Sequence, residues 1–277
     1  MAEIIKPPRA DVCVFDKVTK TYAAGTAREY TAIKDVSFRV PDVEGHGELV
    51  AVLGPSGCGK STVLKIIAGL EPQHPQSSGS VMLFGKPIEG PGADRGMVFQ
   101  EYTAFDNRTV LDNIAFGLEC QGVAKGERME KARAWVTKVG LNVERDALKF
   151  PHQLSGGMRQ RVAIARSLIL NPRILLMDEP FGALDPMTRL RMQDLLVTLW
   201  REAQATVFFV THSIEEAVYL GDRIYVFSNA PGTIVEQIAS KRPDKPAVVR
   251  QAEPDFAEQV RHIREKIAKM EAEAGVV

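Results

Sequence analysis

The chain has 277 residues, 45% of them apolar, with 35 Lys plus Arg against 35 Asp plus Glu. That is ample material for a buried core, and the charge balance lacks the basic excess that binding a phosphodiester backbone requires, so nucleic acid is excluded as an expected partner. No run approaches the eighteen apolar residues of a membrane helix, the start MAEIIKPPRADV has no apolar secretory stretch, and Cys13, Cys58 and Cys120 fit neither a disulfide framework nor a metal site, so a cytoplasmic location is expected.

In chain order, Val12 to Phe15 and Val36 to Val40 alternate with the period of half-buried strands, which predicts an antiparallel N-terminal portion. From Leu49 short apolar runs alternate with helical stretches: a strand to Leu53, a helix from about Ser61 to Ala68, and strands at Ile174 to Met177, Val207 to Val210 and Ile224 to Phe227. This is the pattern of a parallel sheet wound with helices. Between about Glu101 and Ser155 the strand signal vanishes, and Ala132, Trp135, Val136 and Val139 recur at helical spacing. Lys241 to Pro254 is polar and proline-containing, a candidate linker, and a last helix carries Phe256, Val260, Ile263, Ile267 and Met270 on one face. The spacing favours packing of this helix on its own domain over a coiled-coil contact.

The strongest local signal is GPSGCGKST, Gly54, Pro55, Ser56, Gly57, Cys58, Gly59, Lys60, Ser61 and Thr62, which satisfies G-x-x-x-x-G-K-[ST] between a predicted strand and a predicted helix. Glycines let backbone N–H groups wrap a polyphosphate, and the helix start adds its positive dipole end. Lys60 is expected on the β and γ phosphates and the Ser61 hydroxyl on Mg²⁺. In ILLMDEP at 174 to 180 an apolar strand ends in two carboxylates. Beside such a loop Asp178 is expected to hold Mg²⁺, and Glu179 to act as the general base that activates the attacking water. The implied fold class is α/β: a P-loop NTPase core with a parallel sheet, an N-terminal antiparallel β subdomain and a helical subdomain.

A third motif narrows the class. LSGGMRQR at 154 to 161 resembles the signature motif of the ABC ATPase family, and the resemblance spans roughly residues 12 to 238. Locally, Ser155, Gly156 and Gly157 open a helix and form a second anion site. The resemblance implies that they cap the γ-phosphate held by a partner subunit, so that the active form is a two-fold dimer, either a homodimer or a pseudo-symmetric ATPase dimer. It further implies that Gln100 senses Mg²⁺ and the lytic water, that His212 contacts the γ-phosphate, that Asp185 runs across the dimer interface, and that Tyr22 stacks on adenine. Tyr30 is an alternative to Tyr22.

Within the family, the stretches FGALDPMTR and APGTIVEQI and the Met at position 158 resemble bacterial nitrate, sulfonate and taurine importers. The implied partners are transmembrane permease subunits and, through them, a solute-binding protein, with the chain peripheral on the inner face of the membrane. Met158 departs from the Gln of the commonest signature, and EYTAFDNRTVLDNI departs from the usual loop where the permease docks. A urea- or guanidine-related substrate is the alternative within transport; a soluble ABC ATPase acting as a mechanical switch and a P-loop kinase are the alternatives outside it. The expected division is residues 1–239 as the ATPase domain, with a helical subdomain at about 101–165, and 240–277 as linker and amphipathic helix.

Overall fold

The alternation read near the N-terminus builds β1 (Cys13–Tyr22) and β2 (Tyr30–Val40), an antiparallel pair in which Phe15 faces Phe38 across the ladder. The computed structural model describes residues 9–101 and 103–273, without the side chain of Glu273. Residues 1–8 and 274–277 at the ends of the expected division, and Tyr102 in the expected docking segment, lie outside the described residues.

The chain continues through β3 (Leu49–Leu53), α1 (Lys60–Ala68), β4 (Ser78–Leu83), β5 (Lys86–Pro87) and β6 (Arg95–Val98). A helical stretch follows, with α2 (Val110–Cys120), α3 (Lys125–Lys138), α4 (Val143–Asp146), a 3₁₀ turn at Pro151–Gln153 and α5 (Gly156–Leu168). The remainder is β7 (Ile174–Asp178), α6 (Pro186–Ala203), β8 (Thr206–Thr211), α7 (Ile214–Leu220), β9 (Arg223–Phe227), β10 (Ile234–Ala239), α8 (Ala247–Arg250) and α9 (Pro254–Glu273).

Two sheets result. One is antiparallel with strand order β2-β1-β4-β5; the other runs β10-β9-β3-β8-β7-β6 and is parallel except for β10 at its edge. Every residue of β3, β7 and β8 is buried, as expected of parallel strands covered on both faces. Successive side chains go to opposite faces. Val50, Val52, Leu176 and Phe208 join the core shared with α1 and the antiparallel sheet. Ala51, Leu53, Leu175, Met177 and Phe209 join a core that also takes in α2, α5, α6, α7 and α9. Each fully buried Phe or Leu contributes about 1.5–3 kcal/mol, so this sheet is the rigid body on which the site is mounted.

The helical stretch is fastened to that body by polar contacts as well as by packing. Arg161 on α5 donates to Val139 O (2.8 Å) and Gly140 O (3.1 Å), capping the end of α3. Arg166, one turn and a half further, donates to Thr103 O (2.7 Å) and lies 4.5 Å from the Phe105 ring centroid. Buried Asn113 donates to Phe105 O, Arg108 O and Thr109 O and accepts from Phe105 N, which shapes the departing segment at 105–109.

The segment predicted as a linker contains α8 and is tied down: Arg242 meets Asp222, and buried Arg250 pairs with Glu253 and Asp255. On α9, Phe256, Val260 and Ile263 are buried in the same core cluster as the parallel sheet, with Ile267 and Met270 packed against it.

Candidate functional site

The C-terminal ends of β3, β7 and β8 lie side by side, and the turns leaving them carry the candidate chemistry. After β3 the backbone makes the glycine loop. Gly57 (φ +78°) and Gly59 (φ +92°) are in the left-handed region that disfavours side chains. A Cβ at Gly59 would lie 2.5 Å from Ile33 Cγ2 and 2.7 Å from Ala32 O, so the third glycine of the motif is also required by packing against β2. The Lys60 side chain folds back over the loop, donating to Gly54 O (2.8 Å) and Pro55 O (2.7 Å). Cys58 is buried against it, and burial raises its thiol pKa, which keeps the thiol protonated.

At the end of β7, Asp178 Oδ1 accepts from the Ser61 hydroxyl (2.8 Å), which joins the two expected Mg²⁺ ligands directly. Burial raises the Asp178 carboxyl above its ordinary range, opposed by the Ser61 bond and by Lys65 and Lys60 nearby. Glu179, the next residue, has φ +45°, uncommon for a non-glycine residue, and its N–H donates to Val210 O of β8 (3.1 Å). The strand hydrogen bond thus fixes a backbone that turns the Glu179 side chain out of the sheet. Its Oε2 receives two groups from elsewhere in the chain: Gln100 Nε2 donates to it (3.1 Å) and His212 Nδ1 lies 3.4 Å away. Glu179 is mostly buried while His212 is exposed, so the carboxylate forms the floor of the site and the imidazole its rim.

Both candidate tyrosines reach the glycine loop. Tyr22 OH is 3.2 Å from Thr62 Oγ1, and Tyr30 OH donates to Gly57 O (2.9 Å). Lys20 Nζ lies 5.4 Å from the Tyr22 centroid, so one face of that ring is occupied by a cation.

The remaining predicted residues form a second group. Ser155 caps α5, its Oγ accepting from Met158 N (3.4 Å), and Asp185 caps α6, accepting from Thr188 N (3.0 Å). The Thr188 bond holds the Asp185 carboxyl below its usual range. A Cβ on Gly157 would come within 2.9 Å of Thr188 Cγ2, so the two caps are neighbours. Their hydrogen-bond partners belong to their own helices and not to the glycine loop of the same chain. Met158 is half-buried and packs on the hydrophobic core.

The family model described as "ABC transporter" matches residues 33–182, more than half of the chain. The chain belongs to the ABC transporter family. Among its relatives, a taurine import ATP-binding protein of Rhizobium johnstonii is 50% identical over 79% of this ABC chain and 80% of its own length. A nitrate import ATP-binding protein of Synechocystis is 45% identical over 79% of each. An ATP-binding cassette solved as a dimer in a post-hydrolysis state with ADP and Pi superposes with a TM-score of 0.70 at 34% identity, covering 83% of this chain and 99% of that one.

Three features of this ABC chain's site escaped the sequence reading. Gly232, in the turn before β10, backs the glycine loop so closely that a Cβ there would fall 1.9 Å from Cys58 O. Its N–H and carbonyl are both bound to the β2 region, at Ala32 O and Lys34 N. Glu216 and Arg189 meet beneath His212 (3.6 Å). Arg189 and Gly232 fall within the quoted stretches FGALDPMTR and APGTIVEQI without being singled out there, and the local signal for Glu216 is Ser213-x-x-Glu216, which reads as a capping box.

Proposed function

We propose that this chain is the ATP-hydrolysing subunit of a solute importer and works as a dimer, with Glu179 as the general base. The single observation that carries this reading is the convergence of Gln100 and His212 on one oxygen of Glu179, on the strand end next to the Ser61–Asp178 pair and the Lys60 loop. The cradle fits a polyphosphate, since Gly57 leaves open space where a side chain would stand and the loop is bordered by the Lys60 ammonium. The donor set Ser61, Asp178 and Gln100 is hard oxygen, suited to Mg²⁺, which would neutralise phosphate charge there. Lys60 would bind the β and γ phosphates, Glu179 would accept a proton from the attacking water, and His212 and Gln100 would hold that carboxylate and the γ-phosphate in register. Tyr22 is proposed as the adenine-stacking ring; ATP affinities of Tyr22→Ala and Tyr30→Ala decide between it and Tyr30.

Ser155, Gly156, Gly157 and Asp185 are proposed to complete the partner subunit's site, which is why they stand apart from the glycine loop of their own chain. The taurine and nitrate import relatives support a small anionic solute containing nitrogen or sulfur, with permease subunits as membrane partners and a solute-binding protein beyond them. No helix among the described residues is long and apolar enough to cross a membrane, consistent with a peripheral position on its inner face. Residues 1–239 are taken as the ATPase domain, with the helical subdomain at about 101–165, and 240–277 as a C-terminal segment.

Phosphate release from Mg²⁺-ATP tests the reading. Lys60→Ala should nearly abolish turnover and weaken nucleotide binding, and Glu179→Gln should lose on the order of 10²–10⁴ in rate while still binding ATP. Turnover by Lys60→Ala at the wild-type rate overturns the assignment.

A further inference from the structure

The buried carboxylate of Glu216 has no place in the roles above, yet it is bound at both oxygens. Its Oε2 accepts from the Thr211 hydroxyl at 2.6 Å, and the same hydroxyl oxygen accepts from Ser213 N at 3.0 Å. Thr211 and Ser213 flank His212, so this pair of bonds fixes the turn from which the imidazole projects. The other oxygen, Oε1, faces Arg189 Nε at 3.6 Å, and Nε has no hydrogen-bond partner of its own. Arg189 sits on the first turn of α6, where its N–H donates to Asp185 O (2.9 Å) and its guanidinium to Leu184 O (3.2 Å). Gln193, one turn on and fully buried, also bonds to Glu216.

Glu216 and Thr211 are 5% and 2% exposed, so neither side chain serves as a solvated surface group. Glu216 N does donate to the Ser213 cap (3.2 Å), but the Glu216 side chain does not return to the cap's N–H as in a capping box; Thr211 takes that N–H instead. Burying a carboxylate raises its pKa and costs stability, and that cost is offset here through Thr211, Arg189, His212 and Gln193.

We propose that Glu216 is a positioning residue for ATP hydrolysis: it clamps the His212 turn to the Asp185 turn through Thr211 on one side and Arg189 on the other. The inference rests on the function proposed above. His212 lies against the catalytic carboxylate and Asp185 beside the signature residues, so the clamp makes the two turns move as one unit. A change at the Asp185 side, where the partner subunit is proposed to sit, is thereby registered at the group bordering Glu179.

The test uses the full-length chain with Mg²⁺-ATP and measures single-turnover hydrolysis, ATP affinity and melting temperature for Glu216→Gln, Arg189→Gln, His212→Ala and the two doubles with His212→Ala. Glu216→Gln and Arg189→Gln should each lower the hydrolysis rate about tenfold or more with ATP affinity changed less than about twofold. In the His212→Ala background, whose slow residual rate is read with radiolabelled ATP over hours, neither should cause a further loss, because the clamp acts through that imidazole. A rate unchanged in the single variants, or the same fold loss with and without His212, overturns the proposal. Should Glu216→Gln fail to fold, Arg189→Gln breaks the clamp from its more exposed side and carries the same two outcomes. Wild-type turnover and its loss in Glu179→Gln, measured alongside, separate the two readings: with both in place only the clamp is at stake, and without them the proposed function falls first and the clamp with it.

Discussion

Asp178, proposed as a Mg²⁺ ligand, shows how a buried carboxylate trades against stability. It is 5% exposed, and burial is the largest influence on it, pushing its pKa up despite the Ser61 hydrogen bond. A folded pKa above the unfolded one means that the stability this group contributes is fully present below the ordinary aspartate pKa of about 3.9 and is lost as pH rises through the folded value. Asp178→Asn stays neutral throughout and still accepts from Ser61. It should therefore melt a few degrees higher than wild type near pH 7.5 without nucleotide, with the gap closing toward pH 4, while ATP turnover is lost. A variant less stable at pH 7.5 would show that the charge is better compensated than its burial implies. Glu179 is a companion case, since a glutamate at φ +45° is strained and the ladder bond to Val210 holds it there. The two carboxylates stood out in the sequence because an apolar strand ending in Asp-Glu accompanies a glycine-rich phosphate loop; alone, such an Asp reads equally as a loop cap. The strain was not legible, because φ depends on a neighbouring strand.

At the scale of elements, the glycine loop is an instructive mixture of the legible and the hidden. Its own residues announce it, because nine consecutive positions, Gly54 to Thr62, satisfy the G-x-x-x-x-G-K-[ST] pattern between a strand and a helix. Its support comes from places far away in sequence: Ile33 and Ala32 of β2 under Gly59, Phe227 of β9 against Gly54, and Gly232 under Cys58. In the sequence, APGTI counts only as part of APGTIVEQI, a stretch resembling importer ATPases, with nothing to tie it to the glycine loop. In the fold it is the backstop of the loop, with φ in no special region and only space demanding glycine. Gly232→Ala should push the Cys58 carbonyl outward, lowering ATP affinity about fivefold or more, in line with the roughly 1–3 kcal/mol usual for overpacking, while contacting no nucleotide. Titration with a fluorescent ATP analogue measures it, and affinity equal to wild type would mean that the turn before β10 yields without moving the loop. The helical stretch shows the same contrast. Its existence followed from the vanished strand period, but the fastening of α5 to the loop beyond Gln100 by Arg166 and of α5 to α3 by Arg161 depends on side chains reaching across elements.

For the whole molecule, the residues proposed to form the site fall into two sets with no hydrogen bond or ion pair between them among the described residues. Lys60, Ser61, Asp178, Glu179, Gln100 and His212 form one set; Ser155, Gly156, Gly157 and Asp185 form the other. The start of α5 at Ser155, Gly156 and Gly157 has no hydrogen bond to the glycine loop among the described residues, and under the proposed function a second copy brings a phosphate to it. Two such copies related by a two-fold axis would bury two nucleotides, each held by the glycine loop of one and the α5 start of the other. Glu179→Gln removes the proton acceptor while keeping the size of the side chain, so ATP should stay uncleaved and continue to join the two chains. The variant should pass from monomer to dimer on gel filtration with light scattering when ATP is added, and return to monomer when ATP is removed. Wild type should show the dimer only transiently, because cleavage severs the link. Adding Ser155→Arg to Glu179→Gln places a long side chain over the α5 start, and this double variant should bind ATP at the glycine loop yet remain monomeric. An inactive Glu179→Gln protein that binds ATP and stays monomeric would show that the second set of groups serves something other than a partner's phosphate.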